Sequence, residues 1–331
     1  MKKKKFLTLF IVLCLLLSGC GSKHTVTSSF FVPSFDYTVK EQGIEYKPDN
    51  KTLKTSSDFM YSELCYEPED VNLDIDYEFA GQSLACFNAT ESKVIFSKNI
   101  YQKVYPASTT KLLTALTCLK YADVNTLVTI EEDNCGITTP GAQLCGFKKG
   151  DTLTIDQLLH CLMIYSGNDA GVAIAIAVSG SVESFVKLMN EEASRLGCIN
   201  THFSNPHGLQ ALDHYTTAYD MYLIFNECLK NKAMKDIVKC TSYTCVYHDV
   251  YGREQTLEMV ATNLYFAGVK NPPANVTILG GKTGATVAAG YCLIIASENA
   301  EGETYITEVF KSQSYDTLYA DMNELLKLIN R

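Results

Sequence analysis

The spacing of apolar residues changes repeatedly along this chain, and each change predicts a different kind of element. Leu73 to Phe87 and Lys93 to Phe96 carry short apolar runs around a polar turn, which predicts two strands. From Tyr101 the pattern leads into helical spacing, and the middle of the chain predicts one helix after another. Thr154-x-x-Gln157 has the form of a capping box opening a helix through Tyr165. Ser181 opens a run to Leu196 that Gly197 stops, and Thr217-x-x-Asp220 caps the segment holding Leu223 to Leu229. Strand character returns at Ile237 to Tyr247, again before Gly280, and in a hairpin-like pair, Tyr291 to Ser297 and Thr304 to Phe310. Leu318, Met322, Leu325, Leu326 and Ile329 then fall at helical spacing, one apolar face suited to packing on a sheet. Strands at both chain ends with helices between them predict one α+β domain. Its antiparallel sheet is formed by both chain ends and packs with the helical block.

The N-terminus breaks this pattern. Lys2 to Lys5 precede an apolar run from Phe6 to Leu17 that is too short to span a hydrocarbon core of about 30 Å, and small residues follow it directly. This predicts an export signal over residues 1–19. Leu17-Ser18-Gly19-Cys20 resembles the lipobox of bacterial lipoproteins, which implies a Cys20 that becomes the new N-terminus and carries acyl chains. Residues 20–71 lack a sustained period apart from Phe30, Phe31 and Val32, and are read as the lipidated N-terminus and a spacer. The folded domain is expected over 72–331, outside the cytoplasm and tethered to the membrane through the lipid.

Composition narrows the partners. Of 331 residues, 47% are hydrophobic and 20% charged, the balance of a folded protein rather than a disordered one. The formal charge of -9 argues against sequence-independent binding of nucleic acid, which needs clustered Lys and Arg. Loss of the signal would remove four lysines and take the charge to -13, so attraction for an anionic ligand has to come from local lysines. Thirteen cysteines occur without a C-x-x-C, and no H-E-x-x-H is present, so neither a zinc ribbon nor a zincin helix is expected. With Cys14 in the signal and Cys20 committed to lipid, the remaining eleven are odd in number and read as buried small hydrophobes rather than a disulfide framework.

Three short motifs carry chemistry. In Tyr105-Pro106-Ala107-Ser108-Thr109-Thr110-Lys111, Ser108 sits at the first turn of a helix and Lys111 one turn on, so that the amine reaches the hydroxyl. Ser166-Gly167-Asn168 lies at the junction of two helices, and Lys282-Thr283-Gly284-Ala285 at the end of a strand. Ser184-Phe185-Val186-Lys187 repeats the first spacing inside a helix and is read as ordinary surface. Ser297-Glu298-Asn299 repeats the second, in a turn and after the Lys-Thr-Gly, and is set aside.

The ordered triple Ser-x-x-Lys, Ser-x-Asn, Lys-Thr-Gly resembles the β-lactamase/transpeptidase-like superfamily, whose motifs line one cleft. The stretches Leu158 to Ala170, Leu196 to Phe203, Asn205-Pro206-His207-Gly208-Leu209, His214 to Ala218 and Gly280 to Gly290 are similar to the low-molecular-weight D-alanyl-D-alanine carboxypeptidases. These are penicillin-binding serine peptidases of the S11 type. Many members carry a further β-rich domain and a C-terminal amphipathic anchor. This sequence ends after one helix, and the N-terminal lipid is expected to replace that anchor.

The resemblance implies a reaction. Ser108 attacks the bond between the last two D-Ala residues of a peptidoglycan stem, and water hydrolyses the acyl-enzyme. Lys111 takes the Ser108 proton, which requires a lysine depressed by roughly three units from its ordinary value of about 10.4, on the order of 4 kcal/mol, through burial and the charge of Lys282. Ser166 relays a proton to the leaving amine. Asn168, Lys282, Thr283, Gly284 and Ala285 bind substrate, and the N–H groups of Ser108 and Ala285 hold the oxyanion. Neither cofactor nor metal is called for, and β-lactam antibiotics are the expected inhibitors. His207 and His214 are read as structural, and Asp169 as a partner of a helix N-terminus. The alternatives are a β-lactamase on the same scaffold, disfavoured by the lack of Glu-x-x-Leu-Asn between Ser166 and Lys282, and a non-catalytic lipoprotein that binds wall peptides.

Overall fold

The computed structural model describes residues 63–330. The signal, Cys20 and the spacer up to residue 62 lie outside the described residues.

A five-stranded sheet in the order β2-β1-β9-β8-β7 organises the domain. Its strands are β1 (Ser83–Asn88), β2 (Lys93–Lys98), β7 (Thr277–Thr286), β8 (Gly290–Glu298) and β9 (Thr304–Ser312). All neighbours are antiparallel, and β1 pairs with β9 through Ala85↔Glu308, so the first and last strands lie side by side as the sequence predicts. All six residues of β1 are buried because both faces of the sheet are covered. Ala85, Phe87, Ile294 and Phe310 face the helical block, whereas Leu84, Cys86, Leu293 and Val309 face the C-terminal helix.

The described helices are α1 (Lys111–Tyr121), α2 (Ile155–His160), α3 (Asn168–Ser179), α4 (Val182–Arg195), α5 (Ala218–Cys228), α6 (Lys232–Val238) and α7 (Tyr315–Lys327). Their entry points follow the sequence signals. Thr154 and Gln157 form the expected reciprocal capping box, and Ser181 and Thr217 accept from the backbone N–H groups of Ser184 and Asp220. The face of α7 carrying Leu318, Met322, Leu325 and Leu326 is buried against the sheet.

Several boundaries differ from the sequence reading. Residues 73–82 are not strand, and β1 begins at Ser83. Ile237 and Val238 close α6, which Asn231 caps by accepting from Met234 N, so the strand expected from Ile237 starts at Ser242 instead. A second sheet, β3-β4-β5-β6, was not foreseen. It contains β3 (Leu127–Thr129), β4 (Thr152–Thr154), β5 (Ser242–His248) and β6 (Glu254–Val260). The domain also begins before residue 72. Cys65 is fully buried, with its N–H donated to Tyr222 Oη, and Val71 N bonds Ser97 Oγ, so residues 63–71 belong to the packed domain rather than to a spacer.

Candidate active site

Ser108 stands on a tight turn, Ala107–Thr110, that runs directly into α1. Ala107 adopts a left-handed φ of 47°, a conformation that costs a non-glycine residue about 1–3 kcal/mol and must be held by its surroundings. Thr110 Oγ1 donates to Ala107 O at 2.8 Å and contacts His214 Nε2 at 2.8 Å, while His214 Nδ1 accepts from Ser204 N at 3.1 Å. An Nδ1 that accepts leaves the proton on Nε2, so the chain runs His214 to Thr110 to the Ala107 carbonyl. Burial lowers His214 to about 4, which keeps this neutral tautomer in place.

Lys111 is 0% exposed, and its Nζ lies 2.9 Å from Ser108 Oγ, 2.7 Å from Asn168 Oδ1 and 2.5 Å from His207 O. Burial, and then the charge of Lys282, hold its pKa well below the ordinary lysine value. A neutral amine has two N–H groups and one lone pair. Two of its neighbours are carbonyl oxygens that only accept, so they take both protons and the lone pair faces the Ser108 hydroxyl. The contacts alone therefore orient Lys111 to receive the Ser108 proton.

Ser166 arrives by a different route. After α2 the chain makes a wide π turn, Cys161–Tyr165, and Ser166 ends it in the left-handed region at φ 67°. The Cys161 carbonyl accepts from Ser166 N and from Gly167 N, the latter at 3.1 Å. Asn168 N donates to Gln143 O at 2.9 Å, and the Asp169 carboxylate accepts from Cys145 N at 2.9 Å and Gly146 N at 2.8 Å. Asp169 opens α3 as expected, and it also ties the loop around Cys145 to the motif.

The third motif lies inside β7, not at its end, and β7 is the edge strand facing the other two motifs. Lys282 Nζ donates to Ser166 Oγ and to Thr283 O, both at 3.0 Å, and burial lowers its pKa to about 7. Thr283 Oγ1 shares a 2.5 Å hydrogen bond with Thr262 Oγ1. A Cβ on Gly284 would fall 2.8 Å from Ser108 N, and one on Gly208 would fall 1.9 Å from Ala107 O. Glycine at both positions lets β7 and the 205–209 turn close on the nucleophile from opposite sides. Ala285, beyond Gly284, is exposed at the cleft edge.

The structure thus brings Ser108, Lys111, Ser166, Asn168, Lys282 and Thr283 into one linked set, with Gly284 against Ser108. Ser184 and Lys187 are exposed on α4, and Asn299 closes the β8–β9 turn by accepting from Glu301 N and Glu303 N. Thr262 and the supporting role of Thr110 were not found from sequence. Each acts through a single hydroxyl; Thr110 fills an unspecified position of Ser-x-x-Lys, and Thr262 belongs to no motif.

A serine, two buried lysines and an edge strand brought together in this way have the chemistry that acyl transfer through a serine requires. A profile of the D-alanyl-D-alanine carboxypeptidase family, peptidase family S11, matches residues 71–314, and the chain belongs to that family. It is 35% identical over 215 residues to D-alanyl-D-alanine carboxypeptidase DacF of Bacillus subtilis, covering 62% of this chain and 51% of that protein. It is 30% identical over 252 residues to DacC of Escherichia coli, covering 71% and 57%. The match spans between about half and three fifths of these relatives' lengths. The crystal structure of the Streptomyces K15 DD-transpeptidase superposes with a TM-score of 0.71 at 27% identity, over 77% of this chain and 98% of that one. The fold is therefore β-lactamase/transpeptidase-like, as the motif order implied.

Proposed function

We propose that this protein is a serine-type D-Ala-D-Ala carboxypeptidase that trims the terminal D-Ala from peptidoglycan stem peptides and is acylated by β-lactams. The observation that carries the reading is the commitment of both Lys111 N–H groups to carbonyls, which aims the amine lone pair at Ser108 Oγ. Ser108 attacks the scissile carbonyl, and its proton passes to Lys111. The oxyanion is received by the N–H groups of Ser108 and Ala285, for which the close approach of Gly284 to Ser108 N is the structural support. Ser166, bonded to Lys282, passes a proton to the leaving D-Ala nitrogen, and water then releases the acyl group. Lys282 and Thr283 bind the terminal carboxylate, and Asn168 holds the substrate amide while steadying Lys111.

Fluorescent penicillin followed by peptide mapping is expected to place the adduct on Ser108. No adduct, or an adduct on Ser184, overturns the assignment. Chromatography of pentapeptide-containing muropeptides treated with the purified protein is expected to show loss of one D-Ala per stem. Rapid nitrocefin turnover without D-Ala release would favour the β-lactamase instead.

The N-terminal sequence supports a lipoprotein anchored outside the cytoplasm through Cys20. Cys20→Ala is expected to shift the protein from the membrane fraction to the medium, and retention on the membrane would contradict the anchor.

A further inference from the structure

An acidic residue in the first turn of a helix ordinarily serves that helix's own free N–H groups, but Asp169 of α3 gives only one of its bonds to that purpose. The side chain is 0% exposed. Oδ1 accepts from Ala170 N at 3.0 Å and from Cys145 N at 2.9 Å, and Oδ2 accepts from Gly146 N at 2.8 Å. Two of the three donors therefore come from a loop 24 and 23 positions upstream. The loop answers with an acceptor of its own, Gln143 O, which takes Asn168 N at 2.9 Å. Residues 143–146 belong to no helix or strand, so these bonds and the packing of Cys145 Sγ on Gly167 are what hold them to the motif. Asn168 is the residue caught in between. Its N–H is held by the loop, the carboxylate next to it grips the same loop, and its Oδ1 accepts from Lys111 Nζ at 2.7 Å. Lys111 in turn lies 2.9 Å from Ser108 Oγ.

We propose that Asp169 is a positioning residue for acylation, which clasps the 143–146 loop to fix Asn168 and, through Asn168, fixes the Lys111 amine on Ser108. The inference rests on the serine acyl-transfer reading above. It gives Asp169 a task in the reaction that a helix-dipole partner does not have.

The clasp calls for a carboxylate. Both of its oxygens face loop N–H groups, and both can accept. Asparagine has the same shape but a single oxygen, and its amide nitrogen donates. Whichever way that amide turns, one loop N–H meets a donor where it had an acceptor. A buried N–H left without an acceptor is unfavourable, so the loop draws away to find one. Asn168 N is bonded to that loop, and Asn168 shifts with it. A misplacement of about 1 Å at a group that orients the base costs up to about a hundredfold in rate.

The test is a double-substitution cycle on the full chain, read as the rate of acylation by fluorescent penicillin, with thermal denaturation of every variant alongside. Asp169→Asn is expected to slow acylation roughly tenfold or more. In an Asn168→Ala background the same substitution is expected to cost less than about threefold, because the group it acts through is already gone. Gly146→Ala approaches the clasp from the loop side. Gly146 has φ 88°, and an added Cβ there would meet nothing within 4 Å, so the substitution strains only the backbone that donates to Oδ2. It is expected to slow acylation severalfold, and to lose that effect when Asn168 is alanine. Unchanged acylation in Asp169→Asn, or the same cost with and without Asn168, would overturn the proposal, since a residue that merely supports the fold acts alike in both backgrounds. Should Asp169→Asn fail to fold, the Gly146→Ala cycle decides by the same two outcomes. A folded natural chain that takes up no penicillin would instead end the acyl-transfer reading, and the positioning role with it.

Discussion

At the scale of single residues, two buried lysines set the dependence on pH. Lys111 works as a base only when neutral, and burial together with the charge of Lys282 keeps it so well below the usual lysine range. Lys282 works as a cation, and burial lowers it to about 7 in the free protein. For the proposed reaction, kcat/KM should therefore rise as Lys111 deprotonates and fall above about pH 7 as Lys282 loses its charge. The alkaline fall should appear in KM. A bound carboxylate restores the Lys282 charge, so kcat should hold to higher pH. Lys282→Gln should raise KM, and by removing the like charge it should also move the acid limb upward toward neutrality. A pH–rate series of both proteins on a D-Ala-D-Ala peptide checks this. An acid limb unmoved by Lys282→Gln would mean that the two amines do not sense each other. These lysines were legible in the sequence because each sits in a short contiguous motif, although the hydroxyl that Lys282 bonds belongs to Ser166, 116 positions away. Thr262 was not, because its partner Thr283 is 21 positions away and nothing local marks the pair.

At the scale of elements, the site depends on how closely three segments approach one another. The Gly-Gly-Lys-Thr-Gly run reads as a turn signal and so predicts a strand end there. In the structure β7 continues to Thr286, and its small residues are what admit the nucleophile turn. Gly284→Ala should push β7 away from Ser108 N and lower penicillin acylation by about 10- to 100-fold with a near-normal far-ultraviolet circular dichroism spectrum. Unchanged acylation would show that the strand shifts freely. Helix starts were legible because a cap is a local pattern of a few residues, as at Thr154, Ser181 and Thr217. The second sheet was not. Burial alternates along β5 and β6, but the inward set of β6 is only Gln255, Leu257 and Met259, and the exposed Val260 blurs it, so the apolar pattern is too weak to mark the strand in the sequence.

At the scale of the molecule, stability rests on a sheet covered on both faces, and one residue in it stands out. Glu308, in the middle of β9, is 0% exposed, and neither carboxyl oxygen has a hydrogen-bond partner among the described residues. Burial, with the charge of Asp220 a smaller cause, raises its pKa well above the usual carboxyl value, so the folded chain holds a proton that the unfolded chain releases. Its effect on stability therefore worsens as pH rises from the ordinary carboxyl range toward the raised folded value. Glu308→Leu should stabilise the protein by about 1–3 kcal/mol near pH 8, with the gain shrinking near pH 4.5. Thermal denaturation at the two pH values measures it, and a loss of stability in both would place an unseen partner on the carboxyl. Along β9 apolar and polar residues come in pairs, Tyr305-Ile306, Thr307-Glu308 and Val309-Phe310, so the sequence does not mark an outer face, and the tertiary arrangement shows cover on both sides.

The pairing of β1 with β9 also governs when the site comes into being. Ala85 cannot meet Glu308 until 223 further residues have been made, and the strand carrying Lys282 joins the rest of the sheet only through β8 and β9. Loop closure over such a span is slow compared with helix formation. A ribosome-bound chain that already contains Ser108, Lys111 and Ser166 but not yet β7 to β9 therefore lacks the frame that brings Lys282 to them. Reactivity is the last property this polypeptide acquires, and it arrives only with its final strand.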